Sequence, residues 1–171
     1  MKMYQSFHYP SIETERVSLR VLSLDETEKV YKHFSDKNIT EYMDIEPCKD
    51  HVEAAEIITY HLEDLGCRWG MYDKEYDDFI GTCGFHYIRE MEEQVIAEVG
   101  YDLAKPFWGK GLMNETMKAL IDFGFNCMNL DVIDATVDPQ NERSIVLMDR
   151  LGFTKAPELV DGLIYFSLKK N

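Results

Sequence analysis

Hydrophobic and polar positions first alternate at Val17, Leu19 and Val21, which predicts a strand over Arg16–Leu22. Ser23-Leu24-Asp25-Glu26 reads as a capping box opening a helix to about Ser35. A second helix is predicted from about Asp50, with Val52, Ala55, Ile58, Leu62 and Leu65 on one apolar face and Gly66 ending it. Three closely spaced strands follow, Cys67–Tyr72, Phe79–Arg89 and Gln94–Leu103. They are separated by polar turns at Asp77-Asp78 and Glu90–Glu93, the pattern of an antiparallel meander.

The pattern changes after Leu103. Lys105–Gly111 reads as a loop, and Met113, Met117, Leu120, Ile121, Gly124 and Met128 repeat at helical spacing. Val132–Val137 is β-rich, Asp138-Pro139 turns it, Asn141 caps a helix to about Leu151, and Gly152 stops that helix. Phe153 and Leu163–Leu168 predict two closing strands. A meander followed by strand–helix–strand–helix indicates a mixed α/β (α+β) fold with one central, mostly antiparallel sheet flanked by helices.

At 171 residues the chain is expected to form a single domain over 1–171. An apolar share of 45% with 29% charged residues is ordinary for a globular protein. The longest uncharged run, Phe79–Ile88, is ten residues, against the ~20 a spanning helix needs, so no membrane partner is expected. Met1–Pro10 shows no apolar signal core, and a cytoplasmic location is expected. Cys48, Cys67, Cys83 and Cys127 form no CxxC pair, and the five histidines show no ligand spacing, so no metal is predicted. The net charge of −14 argues against nucleic acid and suits a cationic partner, although solubility alone explains an acidic chain equally well.

Candidate chemistry starts at Trp108-Gly109-Lys110-Gly111-Leu112-Met113-Asn114-Glu115, between a strand and an amphipathic helix. A helix N-terminus offers unpaired N–H groups and the positive end of the dipole, and glycines let an anion approach the backbone. No GxxxxGK[ST] is present, and GxGxxG fails at Asn114, so nucleotide binding ranks third among the readings. Asn141 in Asp138-Pro139-Gln140-Asn141-Glu142-Arg143-Ser144 reads structurally as an N-cap.

Taken together, Ala97–Leu103, the Trp-Gly-Lys-Gly turn, Asp138–Ser144 and Leu151-Gly152-Phe153 resemble the GNAT superfamily of acetyl-CoA-dependent N-acetyltransferases, in its Rim-type branch. Thr14-Glu15-Arg16-Val17-Ser18-Leu19-Arg20 is similar to that branch's first strand, and the resemblance runs from about Thr14 to Leu168. It implies that acetyl-CoA is the cosubstrate. It also implies that the pyrophosphate meets the loop, with Trp108 where Gln or Arg usually stands, Gly111 as the central glycine, and Met113 in place of a small residue. Gly109, Lys110, Leu112 and Asn114 belong to the same loop and first turn. The resemblance further implies central strands that part at a bulge near Val99, Gly100 and Tyr101 to take the pantetheine arm. Asn141 is implied as a cofactor hydrogen-bonding residue and Ser144 as the hydroxyl beside the thioester sulfur. Lys105, Lys110 and Arg143 are the expected cations.

An amine attacks only when neutral, and a carboxylate nearby takes its proton. Glu98, between Ala97 and Val99, is the candidate base; the competing reading pairs it structurally with an Arg or Lys. A backbone N–H near Val99 or Gly100 is the expected oxyanion donor, and Ser144 or Tyr101 the donor to the leaving thiolate. Direct attack, without a cysteine nucleophile, is expected. The acceptor, a peptide N-terminus or small-molecule amine, is expected at Asn38–Asp50 and the meander turns, with Asp44, Glu46, Glu92 and Glu93 attracting it. The alternative function is a non-catalytic acyl-CoA-binding sensor. Dimers being frequent in that family, a homodimer is a further expectation.

Overall fold

The computed structural model describes residues 8–171. The absence of an apolar leader was read mainly on residues 1–7, which lie outside the described residues. The strands are β1 (Ile12–Glu13), β2 (Val17–Val21), β3 (Cys67–Asp73), β4 (Phe79–Met91), β5 (Gln94–Leu103), β6 (Val132–Val137), β7 (Thr154–Lys155) and β8 (Ile164–Lys169). The helices are α1 (Thr27–Phe34), α2 (Lys37–Thr40), α3 (His51–Glu63), α4 (Leu112–Asn126) and α5 (Glu142–Arg150). One eight-stranded sheet has the order β1-β2-β3-β4-β5-β6-β8-β7. The β5/β6 pair is parallel and the other pairs are antiparallel. A parallel pair needs a long crossover, which α4 supplies.

Local chemistry sets the boundaries. Ser23 and Glu26 form the expected capping box before α1. Asn141 caps α5 by accepting from the Ser144 N–H, and Gly152, at φ 86°, follows its end. Glu92 and Glu93, at φ 51° and 65°, make the tight β4–β5 turn, whose consecutive left-handed residues suit a strand-twist-matched hairpin.

Two expectations about α3 are corrected. Its buried residues are Ala54 and Ile58, with Ile57 packed beside them, whereas Val52 is 66% exposed and Leu62 and Leu65 are exposed. The apolar sequence offers two helical stripes, and α1 takes the one that meets Val30 and Phe34. Gly66 does not adopt a left-handed stop; Asp64, in extended conformation, ends the helix at Glu63. Gly66 is small because a Cβ there would lie 1.9 Å from the Phe85 carbonyl oxygen. In α4 the buried face is Leu112, Thr116, Met117, Leu120, Phe123 and Gly124; Met113 is only partly buried and Met128 lies beyond the helix.

The sheet separates two clusters. One face packs Trp69, Met71, Cys83, Phe85, Ala97 and Val99 against α4 and Met148 of α5. The other carries α1 and α3, whose Val30, Phe34, Ala54 and Ile58 pack with Leu22, Phe79 and Ala104. Side chains alternate along a strand. Glu98, Gly100 and Asp102 therefore face α1 and α3, while Val99, Tyr101 and Leu103 face α4 and α5.

Candidate active site

The β5/β6 pairing ends at Glu98 with Asp134, while β5 stays paired to β4 as far as Leu103. The two parallel strands thus part immediately after Glu98. Val95 turns its N–H and C=O toward Asp131, on the β6 side, and the Ala104 N–H bonds Ile80, on the β4 side. Backbone edges alternate, so Tyr101 presents its N–H and C=O to the parting. Gly100 turns its own toward β4, which removes its amide from the donors expected there. The register shift expected at Val99–Tyr101 is on β4 instead, between His86 and Arg89, where Tyr87 adopts φ 50°. The extra residue opposite Ala97 bends β4 beside Glu98.

On the α4 side, Gly109 and Gly111 take φ 73° and 75°, conformations an L side chain rarely adopts. Gly111 is the N-cap of α4 and no side chain caps that turn. The first helical bond runs from Glu115 N–H to the Gly111 carbonyl, leaving the N–H groups of Leu112, Met113 and Asn114 at an open, dipole-positive end. Arg16 Nη1 donates to the Lys110 carbonyl at 2.9 Å, and its Nε donates to Glu115 at 2.8 Å. Thr14 Oγ1 donates to the same carboxylate at 2.6 Å. The β2 entry thereby fixes the loop and occupies the acidic group nearest its amides.

Trp108 donates from Nε1 to the Leu103 carbonyl at 2.7 Å, so its ring is held at the end of β5. Arg143 Cζ lies 3.3 Å from that ring's centroid and Lys105 Nζ 5.9 Å from it; Lys110 Nζ lies 5.5 Å from the Phe107 centroid. The three expected cations are therefore brought together around one aromatic corner of the loop. Asn141 spends its Oδ1 on the α5 cap, leaving its amide NH₂. Ser144, in the first turn of α5, is buried and neighbours the Tyr101 phenol. Burial pushes that phenol up to about 12, with Ser144 pulling slightly the other way. The Tyr101 hydroxyl has no hydrogen-bond partner among the described residues.

On the α1/α3 side, Glu98 Oε1 accepts from His86 Nε2 at 3.0 Å, and both side chains are about a quarter exposed. The partner of Glu98 is thus a histidine, not the Arg or Lys of the competing structural reading. With Nε2 donating, His86 Nδ1 is a buried acceptor without a partner. Beside them Asp102 is buried among four groups. Its Oδ1 accepts from His33 Nε2 at 2.5 Å and Thr82 N–H at 2.9 Å, and its Oδ2 from Arg68 Nη2 at 3.0 Å and Thr82 Oγ1 at 2.6 Å. Burial alone would raise this carboxyl, but His33, Arg68 and Thr82 outweigh it and hold it at about 2. Asp134, next to Glu98 in register, gives Oδ2 to Arg89 and to the Tyr165 hydroxyl, while its buried Oδ1 has no partner among the described residues.

Val99, Tyr101, Trp108, Gly109, Lys110, Gly111, Leu112, Met113, Asn114, Asn141, Arg143 and Ser144 thus lie toward the α4/α5 side of the parting, whereas Gly100 shares the α1/α3 side with Glu98. Glu92 and Glu93 do not join them. In the turn before β5 they sit six and five residues from Glu98, roughly 17–20 Å at ~3.3 Å per residue. Sequence reasoning missed His86, Arg68, Asp102, His33, Asp134 and Arg89; strand register brings five of them to this part of the sheet, and the packing of α1 brings His33 to Asp102. Burial pushes the Cys48 and Cys67 thiols up and Cys83 to about 12, which disfavours their thiolates. Among the described residues there is no group of three or more metal-ligating side chains, and no helix is long and apolar enough to cross a membrane.

The fold and site define an enzyme class, the acyl-CoA N-acyltransferases. A family model described as an acetyltransferase (GNAT) domain matches residues 16–154. The chain belongs to the GNAT family and is an acetyl-CoA-dependent N-acetyltransferase. It is 39% identical over 155 residues to the uncharacterised N-acetyltransferase p20 of Bacillus licheniformis, covering 88% of this chain and 86% of that one. It is also similar to spermidine N(1)-acetyltransferase of Escherichia coli strain K12, at 27% identity over 147 residues, covering 84% of this chain and 76% of the relative. Among solved structures, spermidine N-acetyltransferase from Vibrio cholerae in complex with CoA and spermine superimposes with a TM-score of 0.78 at 21% identity. That match covers 90% of this chain and 95% of the other, a likeness of fold.

Proposed function

We propose that this enzyme transfers the acetyl group of acetyl-CoA to a primary amine, with the reacting centre at the parting of β5 and β6. The observation that carries the reading is the distribution of groups across that parting: Tyr101 and Ser144 on one face, Glu98 and His86 on the other. Acetyl-CoA supplies an activated acyl thioester whose carbonyl carbon is open to a neutral amine.

The residues fit the cosubstrate. The open N–H groups of Leu112, Met113 and Asn114 and the cations Lys105, Lys110 and Arg143 suit a diphosphate in a chain whose net charge is −14. The Asn141 NH₂ and the free backbone edge of Tyr101 suit an amide-bearing arm lying in the parting.

Glu98 takes the proton of the incoming ammonium, directly or through water, so that the nitrogen pair attacks the carbonyl carbon. A peptide α-amine, with an ordinary pKa of ~7.7–8.0, asks less of that base than a lysine-like amine at ~10.4. The His86 Nε2–H fixes one Glu98 oxygen and leaves the other for the amine. The Tyr101 N–H faces the site where carbonyl charge grows. When the carbon–sulfur bond breaks, the Tyr101 hydroxyl donates its proton to the departing sulfur. Ser144, beside it, is placed to pass a proton back to the phenol.

Of the three carboxylates at the parting, Glu98 alone has no Arg or Lys partner, because Asp102 is paired to Arg68 and Asp134 to Arg89 while Glu98 bonds His86. That balance suits one ammonium at a time, on a peptide N-terminus or a small amine. Segment 38–50 stands by the parted end of β5, since Ile39 and Cys48 pack in the cluster that includes Ala104, and it supplies the acceptor's outer wall. The test is a thiol-release assay against peptides, polyamines and aminoglycosides. Turnover of at least one amine, lost in Glu98→Gln, supports the reading. Acetyl-CoA binding with no turnover of any amine would favour a sensor.

A further inference from the structure

We infer that Arg68 is a further catalytic residue, whose Nη1 donates a hydrogen bond to the thioester carbonyl oxygen as charge develops on it. This rests on the reading that the acyl group enters the β5/β6 parting.

Arg68 stands in β3 opposite Gly84 of β4, which stands opposite Gly100 of β5. At Gly84 the β3 backbone comes too close for a side chain, and at Gly100 the missing side chain leaves room on the α1/α3 face that the Arg68 side chain reaches across β4 to fill. A Cβ at Gly100 would lie 2.6 Å from Arg68 Nη1 and 3.0 Å from His86 Cε1. Gly100 is therefore covered by the guanidinium and the imidazole, one residue step of side-chain alternation past Glu98.

The guanidinium is fixed at two of its three nitrogens. Nε donates to Thr82 Oγ1 at 2.9 Å and Nη2 to Asp102 Oδ2 at 3.0 Å, and Arg68 is 7% exposed. Asp102 is itself held by His33 and Thr82, so the fork does not swing. Nη1 makes no hydrogen bond to a described residue and is the part that reaches Gly100. Asp102 compensates the guanidinium charge, so Nη1 offers a directed N–H donor more than a net cation. A neutral carbonyl that gains charge during reaction suits it better than a permanent carboxylate. Together with the Tyr101 N–H on the strand edge it makes a two-donor arrangement, placed before reaction begins.

The chemistry balances without another reactant. The amine nitrogen forms the new bond to carbon, the carbonyl electron pair moves onto oxygen toward Nη1 and returns, and the sulfur leaves with the carbon–sulfur pair and a proton. Glu98 takes the proton that frees the ammonium for attack; the tetrahedral nitrogen loses its second proton as the amide forms, and that proton makes good the one Tyr101 gives to sulfur.

The experiment loads the full chain with acetyl-CoA carrying ¹³C at the carbonyl, omits the amine, and records the isotope-edited infrared carbonyl stretch. Arg68→Gln and Gly100→Ala, which displaces Nη1 while keeping the Asp102 pair, are compared with the parent. Both are checked for folding by circular dichroism and for cofactor affinity by calorimetry. The expected result is a stretch at lower wavenumber in the parent than in either variant at unchanged acetyl-CoA affinity, with turnover down about a hundredfold. If Arg68→Gln does not fold, Gly100→Ala decides alone. An identical stretch in parent and folded variants overturns the inference. So does a rise confined to the KM of carboxylate-bearing acceptors, which would make Arg68 an acceptor contact. Failure of the parent to bind acetyl-CoA would instead sink the reading of the parting itself.

Discussion

Arg143 Cζ lies 3.3 Å from the centroid of the Trp108 ring, and the Trp108 Nε1–H is tied to the Leu103 carbonyl at 2.7 Å. The first turn of α5 is thereby pinned to the end of β5 and to the glycine loop that begins α4. A cation–π contact at an exposed site is worth about 0.5–1 kcal/mol. Arg143→Ala and Trp108→Ala should each weaken acetyl-CoA binding severalfold by calorimetry, and the double variant should lose less than the two losses added. Strict additivity would show that the stack does not organise the loop.

Glu98→Gln should lower turnover by a factor on the order of 10²–10⁴ while acetyl-CoA affinity stays the same. His86→Ala keeps the carboxylate but frees it, so its turnover should fall less, and its pH–rate profile should shift relative to the parent. Stopped assays over pH 6–10 with one amine measure both. A Glu98→Gln enzyme with parental turnover would move the base elsewhere.

The site was unevenly legible in the sequence. Strand alternation already separates Glu98 from Tyr101, and the cap chemistry of Asn141 and Ser23 follows from residue type and spacing. Thr14 and Arg16 matched a pattern, but their work of gripping Glu115 about a hundred residues away depends on β2 beginning beside the loop. His86, Arg68 and Asp102 carry no local signal; they meet Glu98 and Gly100 through pairing register, and the Tyr87 bulge resets that register beside His86. Of the α3 face expected at Val52, Ala55, Ile58, Leu62 and Leu65, Ile58 is buried, but Ala54 and Ile57 flank it in the core in place of Val52 and Leu62, because both stripes recur at helical spacing. Contact with Val30 and Phe34 decides between them.

Tyr101→Phe separates chemistry from stability. The hydroxyl is buried without a partner among the described residues, and an unsatisfied buried group costs about 1–3 kcal/mol. Removing it should leave the melting temperature unchanged or raise it, while turnover falls because the departing sulfur loses its donor. Burial raises the phenol to about 12, so parental activity should not decline through tyrosine ionisation below pH 10. Parental turnover in Tyr101→Phe would transfer the donor role to Ser144, and Ser144→Ala tests that directly.

Acid should unfold the protein in two stages traceable to two side chains. His61 is held near pKa 4, against an ordinary 6.5, by burial and by the nearby charges of Arg68 and His86. Between those values the unfolded chain binds more protons than the folded one, so stability falls as pH drops through that window and is flat above it. Asp102 is depressed from 3.8 to about 2; its contribution is complete above 3.8 and is lost as pH falls through about 2. That second loss is on the order of 2 kcal/mol. Urea unfolding from pH 2 to 8 should show both slopes. His61→Gln should remove the one between 6.5 and about 4 and leave the lower one in place. Asp102→Asn should behave differently, lowering stability at neutral pH by about 3–5 kcal/mol because Arg68 is left buried without its carboxylate, and flattening the acid limb. An Asp102→Asn protein as stable as the parent at pH 7 would mean that the Arg68–Asp102 pair does not hold the guanidinium over Gly100.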